Sequence, residues 1–536
     1  MKSKRRIFIC CIMSLMLALV MAMPMGVSAA SNVPVTTGNE LADAINAATG
    51  TDTTTIVLGN DIELEQGITV DGSKKIILDL NGHKLSAPNR VLSIESGYFE
   101  VVGPGSIVET EPNYAPIVIK GSENPADMGY TTVKVGEGVY LEGWAGVFLT
   151  PYESSGAPYA YGVTVDLDCV INAVKDTSEA DGHGVYINGQ IKNTESNYPV
   201  FNLHSNTEIT STGTGIYAAG YAEWNIDGAS IEGDIGIGAK SGKFDIKDAT
   251  INGTGEYVDP IGYNGNGINT DGSALLIDSN HAGYAGEIEI TISGDTVLNS
   301  ENSKAVSEFV TYNSSDPAAE AQKDTNIISF VINGGTFNGA EGKPAVQLSD
   351  EVKEKNAAKI TAGKFSAEPD SELVKGDMTA ELVRNGETTY LIGQSTVNAA
   401  LAEAQKGDVL TVKTAAEDAE LVDVPEGVIV KNNADAAIKV NGEVLAAGQT
   451  VTVVVPDDEE EDKTDTDQSA GDDQKDPATG DDNKGDTDAG KDPVKEPTEG
   501  TPEKTGDAND IVLWLALMAL TAAALAGTAA YSRKRG

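Results

Sequence analysis

A pattern of about 20 residues occurs twice in succession in the middle of the chain, a period typical of solenoid proteins. Gly215 and Ile216 open the first copy, and Gly236 and Ile237 open the second. Each copy continues with a pair of isoleucines: Ile226 and Ile231, then Ile246 and Ile251. Glycine, aspartate and asparagine break the copies into short alternating segments that suit strands and leave no room for a helix. Because one such turn cannot bury its apolar side chains alone, the repeat predicts a parallel β-helix in which Ile216 and Ile237 stack on one another.

Strand openings of the same kind recur at irregular intervals along the chain. They begin at positions 91, 117, 146, 184, 215, 236, 267, 305 and 345. The variable spacing indicates loop insertions in some turns, at 121–130, 152–161, 193–199, 278–286 and 312–324. Loops on a rigid scaffold commonly carry function. We therefore expect an all-β fold in which residues 30–393 form one parallel β-helix domain.

The two ends of the predicted coil carry different signals. Thr37 and Glu40 form a capping box, followed by a short helix with one apolar face that Gly50 ends. Such a helix would cover the open end of the stack, which otherwise exposes apolar surface and unpaired strand edges. At the far end Asn385 and Gly386 mark a hairpin. Residues 394–455 are expected to form a small β-rich module with a leading helix.

Both termini carry segments that predict export and membrane attachment. Basic residues before an apolar run, with small residues at 27–29, predict a signal peptide at 1–29. Residues 456–509 are acidic and lack any apolar period, which predicts a disordered linker. The apolar segment 510–532 is long enough to cross a bilayer, and the basic tail 533–536 would lie in the cytoplasm. We expect an exported protein with its N-terminal side outside the cell.

Thr505 and Gly506, followed by the apolar segment and the basic tail, resemble the sorting signal of wall-anchored proteins of Gram-positive bacteria. In that signal a transpeptidase cuts between the threonine and the glycine and joins the threonine to peptidoglycan. Pro502 and Glu503 stand where the signal has leucine and proline. Attachment to peptidoglycan and a retained single-pass membrane anchor therefore both stay open. Either one implies a protein displayed at the cell surface.

The repeats themselves resemble the pectate-lyase-like family of right-handed parallel β-helices, as found in surface proteins of Gram-positive bacteria. The resemblance covers roughly residues 39–393 and rests on the repeat pattern rather than on one motif. It implies a right-handed coil. Because unrelated functions share one fold, the resemblance bears on architecture more than on activity.

Catalysis has to be weighed because that family includes polysaccharide lyases and hydrolases. Fragments of the polygalacturonase pattern are present, such as Gly182-His183-Gly184 and Asn269-Thr270-Asp271, but in scrambled order. Gln190 stands where the pattern has the basic residue that binds the uronate. No arginine or lysine cluster suits a lyase acting on acidic glycans. We therefore assign no catalytic residue.

Metal and cofactor sites receive no assignment either. The histidines are scattered without zinc-ligand spacing. Acidic turns at Asp166, Asp168 and Asp181 have the ligand type that Ca²⁺ prefers, although a solvated turn is the simpler expectation. Cys169 is the one cysteine after the predicted leader, which excludes a disulfide within the mature chain and favours a small buried residue. The net charge of −45 argues against nucleic acid as a partner.

An aromatic concentration between residues 140 and 224 supplies the binding candidates, because aromatic faces suit sugar rings while their polar tips tolerate water. The assigned ligand-binding residues are Tyr152, Tyr159, Tyr161, Trp144 and Trp224. For Trp144 and Trp224 the alternative is stacking inside the coil. The three tyrosines lie in an insertion that an internal stack cannot easily reach.

Together these features favour an adhesin or glycan-binding module that meets glycans on a host or neighbouring cell. One alternative is a polysaccharide-active enzyme, either a glycoside hydrolase or a polysaccharide lyase. The other is a purely structural wall protein. The membrane would be contacted only through the C-terminal helix, and peptidoglycan only if the chain is sorted.

Overall fold

The computed structural model describes residues 31–151, 158–191, 195–259, 261, 270–279, 286–310 and 325–454. Within them the chain forms a parallel β-helix, in which equivalent strands of successive turns pair side by side. The predicted signal peptide (1–29), linker (456–509), anchor (510–532) and basic tail (533–536) lie outside the described residues, as do Thr505 and Gly506. None of the helices in the described ranges combines the length and apolar character that a bilayer span requires.

Strands are numbered in chain order, and the three sides of the coil are called sheets 1, 2 and 3. Sheet 1 contains β1 (Ser31–Val35), β2 (Thr54–Leu58), β5 (Lys75–Asp79), β8 (Gly97–Val102), β11 (Thr131–Val135), β14 (Val163–Leu167), β17 (Val200–Leu203), β20 (Glu223–Asp227), β23 (Gly242–Lys247) and β26 (Ile288–Ser293). Sheet 2 contains β3 (Ile62–Glu63), β6 (Lys84–Ala87), β9 (Gly105–Glu109), β12 (Val139–Gly143), β15 (Val170–Ala173), β18 (Glu208–Ser211), β21 (Ser230–Gly233), β24 (Thr250–Gly253) and β27 (Val297–Ser300). Sheet 3 contains β4 (Ile68–Val70), β7 (Leu92–Ile94), β10 (Ile117–Lys120), β13 (Ala145–Thr150), β16 (His183–Ile187), β19 (Thr214–Ala218), β22 (Ile235–Ala239), β25 (Leu275–Ser279), β28 (Val306–Val310) and β30 (Val346–Gln347).

The last turns join the coil to a mixed β region. Long strands β29 (Ile327–Asn338) and β31 (Ala358–Phe365) run along both sheet 1 and sheet 2, with helix α2 (Asp350–Glu354) between them. The remaining strands are β32 (Met378–Arg384), β33 (Glu387–Ile392), β34 (Val409–Ala415), β35 (Glu420–Leu421), β36 (Ile429–Asn432), β37 (Ile438–Val440), β38 (Glu443–Leu445) and β39 (Thr450–Thr452). Helix α3 (Gln394–Ala402) precedes β34, and a second hydrophobic cluster gathers around its Val397 and Leu401. The domain boundaries at 393 and 455 stay predictions.

The interior of the coil consists of side chains that stack from turn to turn. Ile216 of β19 is in register with Ile237 of β22 on sheet 3, which confirms the central prediction from the repeat. On sheet 1 the rings of Phe201 and Trp224 stack with centroids 4.5 Å apart, and Phe244 follows at 6.0 Å. Burying these columns removes apolar surface from water in every turn, which is the main stabilising term of such a fold.

A short helix follows β1, as the capping box predicts. Helix α1 (Gly38–Ala47) starts at Thr37, whose hydroxyl accepts a hydrogen bond from the backbone N–H of Glu40 at 3.3 Å. Glu40 in turn accepts from the backbone N–H of Thr36 at 2.7 Å, which lowers the pKa of its carboxyl. The side chains of Leu41 and Ile45 are fully buried in the same cluster as the coil interior.

Glycines occupy the corner where the chain enters sheet 3 in four successive turns. They are Gly146, Gly184, Gly215 and Gly236. A methyl group on each would collide with the side chain of an isoleucine on sheet 2, namely Ile171, Ile209, Ile231 and Ile251. The recurring glycine before an apolar residue thus marks a place where the backbone packs directly on the neighbouring sheet.

We predict that Gly236→Ala destabilises the protein by about 1–3 kcal/mol, because the added methyl overpacks the corner against Ile251 and lies 2.6 Å from the carbonyl oxygen of Ala274. Gly238→Ala in the same strand is the control. Its methyl meets nothing closer than a carbon of Thr214 at 3.4 Å, so the free energy of unfolding should stay the same or rise. Urea unfolding of both variants measures the difference, and equal destabilisation would contradict the packing argument.

Candidate functional site

The predicted insertions all leave the coil at one corner. Each of the five segments 121–130, 152–161, 193–199, 278–286 and 312–324 follows a strand of sheet 3 and precedes a strand of sheet 1. Residues 152–157, 192–194, 280–285 and 311–324 lie outside the described part of the chain. Insertions that map to one edge of a repeat protein commonly form its binding surface. This edge, called the insertion corner, is therefore the first place to look for a site.

Tyr159 and Tyr161 meet at the insertion corner, as their shared segment predicts. Their rings stack with centroids 5.3 Å apart and planes 20° from parallel. Both side chains are half-buried, and the backbone of Tyr161 exchanges two 2.9 Å hydrogen bonds with Ser122 on the preceding insertion. Burial, with the nearby Tyr159 and Glu195, raises the pKa of Tyr161. Tyr152, the third tyrosine assigned to this segment, lies outside the described residues.

Three further tyrosines extend this pair along the corner. Tyrosine stands one or two positions before the sheet 1 strand in four successive turns: Tyr130, Tyr161, Tyr198 and Tyr221. The rings of Tyr198 and Tyr221 meet edge to face at 5.1 Å. We call these four residues, with Tyr159, the tyrosine row. Tyr130, Tyr198 and Tyr221 are not among the binding residues predicted from the sequence, although the position of each before an apolar strand was a usable signal.

A line of polar side chains runs beside the row on the outer face of sheet 1. Lys134 pairs with Asp166 at 2.9 Å, and that hydrogen bond raises the pKa of the lysine. The amide of Asn202 donates to Asp166 at 2.7 Å, and the amide of Asn225 donates to Asn202 at 2.9 Å. Because in-register strands place these residues on one column, four turns present one connected chain of donors and acceptors.

Two shallow depressions flank this polar line. One, of about 550 Å³, is lined by residues that include Tyr98, Met128 and Tyr130. The other, of about 290 Å³, lies between Glu223 and Lys243 and extends to Ser329. Met128 is 76% exposed, which leaves an apolar side chain beside the first depression open to contact. The surface is thus a broad, open one rather than a closed pocket.

Trp144 lies in a different aromatic cluster, on the outer face of sheet 3. There Tyr114, Phe148, Tyr186 and Tyr217 form a column whose successive ring centroids are 4.6, 4.6 and 4.7 Å apart. The half-buried ring of Trp144 packs 5.5 Å from Tyr186, and its indole N–H donates to the carbonyl oxygen of Asp181 at 3.0 Å. The structure therefore separates Trp144 from the tyrosine row.

Trp224 belongs to neither surface. Its side chain has 0% exposure and stacks between Phe201 and Phe244 inside the coil. The prediction that Trp224 belongs to a surface binding site is therefore wrong. The alternative, stacking inside the coil, describes this residue. The physical reason is alternation: Trp224 has the same parity along β20 as Ile226, which also points inward.

The acidic turns and the cysteine have ordinary environments. Asp181 pairs with Lys175 at 3.0 Å, and Asp168 accepts a hydrogen bond from the backbone N–H of Asn206 at 3.2 Å. Burial raises the pKa of the Cys169 thiol to about 12, so it stays protonated at neutral pH. Within the described ranges, no three histidine, cysteine, aspartate or glutamate side chains come together in a way that could hold a metal ion.

Comparisons with known proteins return no relative. No protein-family model matches the chain, and no curated protein matches it at a significant level. The function therefore has to be argued from the geometry of the insertion corner and the faces beside it.

The buried His183 provides a test of the aromatic cluster on sheet 3. Its Nδ1 atom accepts a hydrogen bond from the backbone N–H of Thr214 at 3.3 Å, and its ring packs edge-on against Trp144 at 5.0 Å. Burial lowers the pKa of His183 to about 4, against the opposing effect of Asp181. Because the folded pKa lies below the unfolded value of 6.5, the stabilisation is present above about pH 6.5 and is lost as the pH falls toward 4.

We predict that this histidine alone lowers the free energy of unfolding by about 3 kcal/mol between pH 6.5 and pH 4. Urea unfolding at several pH values should show a steeper acid loss for the native sequence than for His183→Gln. Titrating carboxylates such as Asp234 are common to both proteins and cancel in the comparison. Parallel pH profiles would show that His183 is not buried in its neutral form.

Proposed function

We propose that the chain is a surface-displayed protein that binds glycans through the tyrosine row and the adjoining outer face of sheet 1. The observation that carries this proposal is the recurrence of tyrosine at the same corner in four successive turns, beside a continuous line of amide and carboxylate groups. One tyrosine could be incidental. A row built by the repeat itself, at the corner that takes the insertions, makes an extended surface for an extended ligand.

The chemistry of the surface suits sugars. Aromatic rings pack against the apolar C–H faces of pyranose rings, while phenol oxygens remain in contact with water. Amide and carboxylate groups such as those of Asn202, Asn225 and Asp166 exchange hydrogen bonds with vicinal hydroxyls, because they offer paired donors and acceptors. Parallel strands repeat every 4.7–4.9 Å, so equivalent groups recur at short, regular spacing along the coil.

Display at the cell surface is part of the same proposal. The predicted signal peptide, acidic linker and apolar segment would export the coil and hold it away from a single-pass anchor. The partial sorting signal at Thr505 and Gly506 supports attachment to peptidoglycan in a Gram-positive wall as the second mode of anchoring. A right-handed, pectate-lyase-like coil fits the observed parallel stack, since nearly all parallel crossovers are right-handed. The partner surface would be a host or neighbouring cell that carries glycans.

A polysaccharide-active enzyme is the alternative, and one observation favours it. Asp234 is partly buried, and this burial together with the negative charge of Asp181 raises the pKa of its carboxyl. Asp181 stays paired with Lys175 and lies beside Trp144. Two carboxylates in unlike environments, one of them on a residue that contacts an aromatic ring, are the components that glycoside hydrolysis uses. New reducing ends released from a bound polysaccharide would favour this alternative over binding alone.

We predict that replacing Tyr159 and Tyr161 with alanine together weakens glycan binding by roughly 30-fold, the effect of losing about 2 kcal/mol of aromatic contact. The measurement is binding of the purified full chain to a glycan array, followed by titration with the best-bound glycan. Tyr140→Ala is the control, because this half-buried tyrosine faces outward on sheet 2, away from the row.

If the double variant bound the glycan with unchanged affinity, the tyrosine row would not be part of the binding site. No binding to any glycan by the native chain would instead favour the third candidate, a structural wall protein. Circular dichroism of each variant shows whether the coil is intact, so that a loss of binding is not mistaken for a loss of fold.

A further inference from the structure

The charges around the tyrosine row limit the kind of glycan that it can accept. Burial raises the pKa of Tyr161, and Tyr159 and Glu195 raise it further. Burial also raises the pKa of Tyr221; Lys243 opposes this increase, while Glu289 and Glu287 add to it. Glu195 and Glu287 are exposed to solvent. The field at Tyr161 is therefore negative, and the one lysine that acts on Tyr221, Lys243, is itself paired with Glu289.

Sheet 1 reinforces that field, because its lysines are largely neutralised. Lys134 is paired with Asp166, and Lys243 with Glu289 at 3.2 Å. Glu100, Glu223 and Asp245 occupy the same outward columns. Lys75 and Lys359, exposed at opposite ends of the face, make no ion pair within the described part of the chain and are the ammonium groups in these two columns left to meet a ligand.

Binding of an acidic glycan requires the opposite arrangement. A uronate or sulfate leaves its hydration shell only if cations replace the lost water contacts, and like charges brought together across an interface cost binding free energy. Here the two lysines in the middle of the face, Lys134 and Lys243, are already paired with carboxylates. The groups that remain are phenol faces, amides and carboxylates, which match neutral hydroxyl-bearing rings.

We infer that the tyrosine row selects uncharged glycans and discriminates against uronate-containing or sulfated ones. The inference rests on the proposed glycan-binding function and adds the ligand class. It runs against the acidic substrate that the pectate-lyase resemblance would suggest, because the charged surface rather than the shared coil decides which polymer can approach.

The test uses polymers that share a backbone and differ in charge. Fully methyl-esterified and de-esterified homogalacturonan form one pair, and hydroxyethyl and carboxymethyl cellulose form another. We expect the full chain to bind the neutral member at least about tenfold more tightly at low salt, and the difference to shrink above about 0.5 M NaCl as the charges are screened. Parallel titrations with 2 mM Ca²⁺ or with EDTA show whether a bridging cation reverses the preference.

Two matched double variants test whether the carboxylates near the tyrosine row cause the preference for neutral glycans. Glu195→Gln combined with Glu287→Gln removes two carboxylates near the row. We expect this double variant to lower the ratio of the affinity for the neutral polymer to that for the acidic polymer by several fold. Glu403→Gln combined with Glu417→Gln changes the net charge equally at exposed positions outside the coil and should leave the ratio unchanged. Equal narrowing by both pairs would assign the effect to net charge and overturn the inference.

The outcomes separate the two proposals. Tighter binding of the acidic members, with or without Ca²⁺, would overturn the selection of neutral glycans while leaving glycan binding in place. Failure of every polymer and every array glycan to bind would overturn the proposed function itself, and this inference with it.

Discussion

In-register stacking of inward-facing side chains is the constraint on which the rest of the structure depends. Each turn is too short to enclose a core, and its apolar residues are removed from water only when the next turn places equivalent residues against them. Ile216 on Ile237, and Phe201 on Trp224 on Phe244, show the same column rule on two different sheets. Because the interior is settled in this way, the outward positions and the corners are left to carry function.

The corners differ in how tightly their backbone is packed, although the entry to sheet 3 also takes one long connection, between Gly253 and Leu275. At the entry to sheet 3, glycines such as Gly215 and Gly236 bring the backbone against an isoleucine, so even a methyl group is excluded. At the insertion corner the chain leaves the coil before it starts sheet 1, and added residues do not disturb the parallel pairing. Tyrosines retained there are held by the strand that follows them. Tyr221 is buried, and the other four members of the tyrosine row are half-buried and remain partly accessible.

The repeat made the interior predictable, and the surface only in part. The stacking of Ile216 on Ile237 follows from two copies in one window of sequence, and a glycine before an apolar residue marked four strands of sheet 3. The opening predicted at 267 lies outside the described residues, and the next strand of sheet 3 begins at Leu275. Tyr130 and Tyr198 were missed because insertions of unequal length separate them, so their alignment emerges only after the strands are placed in register. Trp144 and Trp224 look alike in sequence, but only Trp224 shares the inward parity of its strand. Ion pairs could not be predicted from the sequence for the same reason, because the pair of Lys134 and Asp166 joins residues from different turns.

A surface made by repetition has a property that a single pocket lacks. In the proposed complex, a polymer of identical units that shifted by one unit along the tyrosine row would exchange one set of contacts for a similar set from the next turn. Several bound alignments would then have similar free energies, so their number would favour binding and the polymer could move along the coil without full release. Such a surface would accept strands of varied length and end structure, and it would lengthen with each turn added to the stack.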